Sequence, residues 1–139
     1  MILQHPSILI TDDDASLRET LREVFEPQGF RTLQAGDGQE ALDMLQHGEE
    51  IHVMLLDMHM PRLTGLETIR LVKQLRAGLP CILMSACADE SLIREALSAQ
   101  AYTVLTKPVT RRGVLDNVGQ ALEKAYDWRN RLFGSDSRP

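Results

Sequence analysis

Short apolar runs alternate with stretches of helical spacing five times along this chain, and that rhythm restricts the fold more than any single residue does. Strand-length runs fall near residues 7–11, 51–57, 80–85 and 102–106. A weaker alternating run, Phe30-Arg31-Thr32-Leu33-Gln34-Ala35, reads as an edge strand. Between the runs, Leu17, Leu21, Val24 and Phe25 fall on one helical face, as do Leu66, Ile69 and Val72, and later Leu115, Val118 and Leu122. Strands alternating with helices predict an α/β fold: a doubly wound, five-stranded parallel sheet with right-handed crossovers and helices on both faces. Ligands of such sheets sit outside the carboxyl ends of the strands, where the strand order reverses.

The punctuation agrees with this reading. Pro27-Gln28-Gly29 closes the first helix. Asp37 three residues before Glu40, and Thr64 three residues before Glu67, both read as capping boxes that open helices. Gly78, ahead of Pro80, reads as the end of the third helix.

A length of 139 residues suits one domain with one core. The domain is expected over residues 1–127. Residues 128–139 are expected to form a helical extension through Trp128, Leu132 and Phe133, followed by a disordered tail. No apolar stretch approaches the roughly 20 residues of a membrane span, and the N-terminus lacks the basic start and apolar core of a secretory signal. A cytoplasmic protein without membrane contact is expected. A net charge of −5 argues against direct binding to nucleic acid, which favours a basic face. Two cysteines make no disulfide or metal framework. Cys81 lies in an apolar run and reads as core, while Cys87, just beyond it, is expected to be accessible.

The chemistry gathers at the strand ends. Ile8-Leu9-Ile10-Thr11 stops at Asp12, Asp13 and Asp14. Val53-Met54-Leu55-Leu56 stops at Asp57. Ile82-Leu83-Met84 delivers Ser85, and Val104-Leu105-Thr106 delivers Lys107-Pro108. Converging carboxylates repel one another unless a cation sits among them. Mg²⁺ suits such a site, with Mn²⁺ as an alternative, because it takes oxygen ligands and keeps several waters. Asp13 and Asp57 are the candidate direct ligands, and Asp12 acts through water or charge. A carboxylate can also attack phosphorus to give an acyl phosphate. Lys107 then supplies positive charge to the phosphoryl oxygens, and Ser85 a hydrogen bond. Taken singly, each residue has a plainer reading. Asp14 is best read as a helix cap, Asp57 as a strand-end turn former, and Lys107 as a solvated surface lysine. Ser85 alone carries no signal. Joint placement at successive strand ends is what favours a site.

Asp12-Asp13, Asp57-Met58-His59-Met60-Pro61 with Gly65, Ser85-Ala86 and Lys107-Pro108, in that order, closely resemble the receiver domain of two-component response regulators, over roughly residues 7–125. The resemblance implies a flavodoxin-like, chemotaxis-regulator-like (βα)5 fold of strand order 2-1-3-4-5. It implies that Asp57 accepts a phosphoryl group from a phosphohistidine of a sensor histidine kinase or a histidine phosphotransfer protein. It implies Mg²⁺ on Asp13, Asp57 and the backbone carbonyl of His59, and a cis bond between Lys107 and Pro108. Ser85 then swings in to bind phosphate, and Ala86 and Cys87, which follow it, join the switching region. An aromatic on the fifth strand buries itself and reshapes the face of the fourth helix, fifth strand and fifth helix for an unknown downstream partner or for homodimerisation.

The chain departs from the family pattern at that last step. Three residues before the lysine, where the aromatic usually stands, lies Val104. Tyr102 is two residues earlier, which by strand alternation puts it on the same face, ~7 Å farther from the site. An altered switch is the expectation. His59, two positions after the acceptor, lies near the attacking-water path in the family, where a histidine either obstructs or orients that water, or stays solvated and inert. Partner choice is expected on surface residues around the first helix, such as Arg18, Glu19 and Arg22. No segment is left for an output module, so output is expected through a partner or an onward relay, or else the chain is a fragment of a longer regulator. Two other readings compete: an aspartyl-phosphate phosphatase-like hydrolase, disfavoured because His59 stands where that class places a second acid, and a degenerate receiver acting only as an interaction domain, disfavoured because the acceptor and the acid pair are retained.

Overall fold

In the computed structural model, which describes residues 5–126, the sheet consists of β1 (Ser7–Thr11), β2 (Arg31–Ala35), β3 (Val53–Asp57), β4 (Cys81–Ser85) and β5 (Thr103–Thr106). The helices are α1 (Ala15–Phe25), α2 (Gly38–Gln46), α3 (Gly65–Leu75), α4 (Glu90–Ser98) and α5 (Arg111–Ala125). All strand pairs are parallel, and the order is β2-β1-β3-β4-β5. The chain therefore has the expected flavodoxin-like fold.

Why the three central strands read as unbroken apolar runs is plain from their surroundings: β1, β3 and β4 are buried along their whole length. A parallel sheet covered on both faces has no wet side for a polar residue. Side chains alternate between two layers. Leu9, Met54, Leu56 and Leu83 face α2, α3 and α4, packing with Leu42, Leu66, Ile69, Leu92 and Ala96. Ile8, Ile10, Leu55, Ile82 and Met84 face α1 and α5, packing with Leu21, Phe25, Leu115, Val118 and Leu122. Only the two edge strands, β2 and β5, are half-exposed.

Most of the punctuation holds. Asp14 caps α1, its Oδ1 accepting from the amides of Ser16 and Leu17. Pro27 lies in a 3-10 turn, Glu26–Gln28, that ends at Gly29 with φ +94°, a left-handed conformation that suits glycine. Thr64 and Glu67 form both halves of a capping box. Two expectations need correction. Asp37 accepts from the Glu40 amide, but the Glu40 carboxylate reaches back to the amide of Gly36 rather than to that of Asp37. The reciprocal half of the box is displaced by one residue. Helix α3 ends at Leu75, and its cap is Arg76, whose amide bonds the Val72 carbonyl. Gly78 takes no left-handed φ and is not the cap, because Arg76 has already turned the chain out of the helix.

The Trp128–Leu132 extension and the tail expected after it lie outside the described residues. Among the described residues, no helix is long and apolar enough to cross a membrane.

Candidate functional site

Hydrogen-bond ladders continue one residue past the strands and fix the loops that carry the acids. The Asp12 amide bonds the Ala35 carbonyl, the Met58 amide bonds that of Met84, and the Lys107 amide bonds that of Ser85. Asp12, Asp57, Ser85 and Lys107 are thus brought to one rim of the sheet. One carboxylate oxygen from each of Asp12, Asp13 and Asp57 lies within 4.8 Å of the other two. Asp12 and Asp57 are buried, whereas Asp13 faces solvent.

Lys107 reaches into this group. Its Nζ lies 2.9 Å from Asp57 Oδ1 and 3.1 Å from Asp12 Oδ2. The lysine expected to supply charge to phosphoryl oxygens here clamps two of the site's acids. Burial raises the Asp12 carboxyl above its ordinary value, against the opposing pull of the Asp14 amide and of Lys107. Burial also acts to lower the Lys107 ammonium, but hydrogen bonds to Asp57 and Asp12 outweigh it and hold the group above its ordinary value. Three carboxylates face one ammonium, an imbalance that favours a further cation. An all-oxygen donor set with one solvent-facing member fits a hard divalent ion that retains water, as Mg²⁺ does.

Gly65 is there for space. A Cβ at this first residue of α3 would lie 2.3 Å from the Asp57 carbonyl oxygen and 2.7 Å from Leu83 Cδ1. Only a bare α-carbon lets the helix start against the acceptor strand. Ser85 is fully buried, and its Oγ accepts the Cys87 amide at 3.1 Å. His59 is exposed and shares a cleft of about 270 Å³ with Ser85, Cys87 and Glu95. Cys87 is exposed, as expected, and Cys81 is buried, with its thiol pushed up to about 12 by desolvation. Ala86, Lys107 and Pro108 border a second hollow with Leu17 and Val109. The Lys107–Pro108 bond is cis.

Tyr102 and Val104 do not share a face. Tyr102 packs against the layer containing α1 and α5, and Val104 against the layer containing α4. Strand β5 begins only at Thr103, so the period of two does not extend back to Tyr102. The tyrosine lines a hollow with Pro80, Leu97, Ala121 and Lys124, at the opposite end of β5 from the acids.

Arg18 also differs from expectation. It is half-buried and turned inward, its Nη1 donating to the Asp12 carbonyl and its Nε to Gln34 Oε1. Arg22 pairs with Glu19 and Glu26 along the helix. A residue that sequence reading passed over is His52, buried immediately before β3. Its Nδ1 accepts the Ser7 amide at 2.9 Å. An apolar flank on each side was its one signal of burial.

A family model described as the response regulator receiver domain matches residues 8–119. Sporulation initiation phosphotransferase F of Bacillus subtilis is 32% identical over 88% of this chain and 94% of its own length. Transcriptional regulatory protein CpxR of Escherichia coli is 31% identical over 94% of this chain, which spans 54% of that longer protein. Several other curated relatives are likewise matched over about half their length or less. Among solved structures, a CheY-like receiver domain protein from Methanospirillum hungatei superposes with a TM-score of 0.83 at 25% identity, covering 88% of this chain and 97% of that one. A CheX–CheY–BeF3–Mg²⁺ complex from Borrelia burgdorferi gives 0.79 at 28% identity, covering 84% and 89%.

Proposed function

The chain belongs to the response regulator receiver family of two-component systems, and we propose that Asp57 is the residue through which it is phosphorylated. One observation carries this reading: a buried carboxylate at a strand end, held 2.9 Å from an ammonium and beside two further acids. In the proposed reaction an Asp57 oxygen attacks the phosphorus of a phosphohistidine. An O–P bond forms, the P–N bond breaks, and the departing imidazole keeps the electron pair and takes up a proton. Lys107, already beside Asp57, pairs with the phosphoryl oxygens as charge develops. Ser85 gives up the Cys87 amide and donates its hydroxyl instead. Asp13, Asp57 and the His59 carbonyl would hold Mg²⁺, with Asp12 joined through water; when bound, the ion neutralises charge on the phosphoryl oxygens.

The phosphodonor is a sensor histidine kinase or a histidine phosphotransfer protein. The phosphorylated domain then acts through a downstream protein, with residues 1–127 as the working unit. Such a domain is loaded once and decays slowly, unlike an enzyme that turns over. The reported relatives support this reading, since one is named a phosphotransferase and another was solved with BeF3 and Mg²⁺.

The test is incubation with acetyl phosphate and Mg²⁺, followed by intact mass measurement. Wild type is expected to gain one phosphoryl group and Asp57→Asn none. Equal gain in both would remove Asp57 from the acceptor role. Sustained release of phosphate from simple phosphomonoesters would instead favour hydrolase chemistry.

A further inference from the structure

Asp12 has no free polar group. Its amide bonds the Ala35 carbonyl at 3.1 Å, Oδ1 accepts the Asp14 amide at 2.9 Å, and Oδ2 accepts Lys107 Nζ at 3.1 Å. Its carbonyl oxygen accepts Arg18 Nη1 at 2.6 Å. That carbonyl belongs to the peptide joining Asp12 to Asp13, a rigid plane that includes both α-carbons. Whatever fixes the oxygen fixes the direction in which the next residue leaves. Asp13 is exposed and is the one member of the acid group that packing does not hold.

Arg18 is itself held at two points. Its Nε donates to Gln34 Oε1 at 3.0 Å, which ties the guanidinium to β2, and Gln34 Nε2 in turn donates to Glu19 Oε2 at 3.3 Å. A planar guanidinium with fixed donors suits such an anchor better than a flexible ammonium. We propose that Arg18 is a positioning residue for the divalent-cation site: by holding the Asp12–Asp13 peptide it aims the solvent-facing Asp13 carboxylate at the ion. This rests on the functional reading above, in which Asp13 and Asp57 are ligands.

Electrostatics and positioning predict opposite signs. A guanidinium beside an acid cluster repels an incoming cation, so removing it on charge grounds alone strengthens Mg²⁺ binding. Removing a partner that orients a ligand weakens binding, typically by 10- to 100-fold across metal sites. The experiment is Mg²⁺ titration of the unphosphorylated full chain by calorimetry and by amide chemical shifts. Wild type is compared with Arg18→Met, Arg18→Lys and Gln34→Leu. Arg18→Met is expected to weaken Mg²⁺ binding about tenfold while the fold, judged by dispersed amide spectra, is kept. Arg18→Lys retains the repelling charge but not the two-point grip, and is expected to bind Mg²⁺ more weakly than wild type. Gln34→Leu frees one end of the anchor in a side chain remote from the ion; it is expected to weaken binding by a smaller factor, and decides the matter if Arg18→Met does not fold. Binding equal to or tighter than wild type in the folded variants overturns the inference alone. Failure of wild type to bind Mg²⁺ overturns the functional reading with it.

Discussion

The sheet buries ionisable side chains at both ends, yet the two ends are built on different principles. At the amino end His52 is 7% exposed, its ring accepts the Ser7 amide, and Tyr126 packs edge-on against it at 5.4 Å. A ring nitrogen that accepts a hydrogen bond carries no proton, so with Nδ1 accepting the Ser7 amide the ring is neutral. At the carboxyl end Asp12 and Asp57 are as deeply buried, but they share the Lys107 ammonium and a third acid, Asp13, stands beside them. Burial of a polar residue is therefore no sign of a site by itself. Unbalanced charge is the sign, because it favours a partner from outside the chain that completes it.

The strongest way to break this contrast is to remove the one ammonium. Lys107→Met leaves Asp12 and Asp57 buried without their shared partner, and is expected to cost about 3 kcal/mol of stability in metal-free urea unfolding. A loss below about 0.5 kcal/mol would mean that the carboxyl end is less strained than its geometry implies. A pair of glycines sharpens the comparison further. Gly65→Ala drives a methyl into the Asp57 carbonyl and is expected to cost about 2 kcal/mol. Gly78→Ala, in the turn leading into the amino end of β4, meets nothing within 4 Å and is expected to stay within about 0.5 kcal/mol. Comparable losses in the two would show that crowding is not specific to the acceptor's surroundings.

The smallest effect concerns pH at the amino end. Burial holds the His52 ring below its ordinary value, against a weaker upward pull from Glu50, with Arg31 adding to the lowering. Between that lowered value and the unfolded value near 6.5, the unfolded chain binds more protons than the folded one. His52's contribution is therefore whole above the unfolded value and is lost as pH falls through the window. Urea unfolding between pH 7.5 and pH 5 should show wild type losing more stability than His52→Gln. Parallel curves would remove His52 from that dependence.

Much of this was legible in the sequence, for identifiable reasons. Fully buried parallel strands leave unbroken apolar runs, so β1, β3 and β4 stand out, and the acids stand out as the residues that end β1 and β3. The half-exposed β2 was legible by its alternation. What was hidden depends on reach and on exact ends. That Lys107 spans both Asp12 and Asp57 follows from the length of its side chain and the register of β5 against β4, which spacing alone does not give. Tyr102 lies in the layer opposite Val104 because the strand starts one residue after it, a boundary that alternation in the sequence does not mark. Arg18 looked like a surface charge on an amphipathic helix, and nothing in its neighbours distinguishes a guanidinium in water from one folded under a loop.

The rungs that continue past the strands have a mechanical consequence. Met58 hangs from Met84, and Lys107 from Ser85. The backbone bearing the acceptor acid, the hydroxyl and the ammonium is thus stitched across three neighbouring strands into a single stiff hem. The Gly65 amide, bonded to the Met58 carbonyl, ties the same hem to the start of α3, so the acceptor's backbone is braced by a helix as well as by its neighbouring strands.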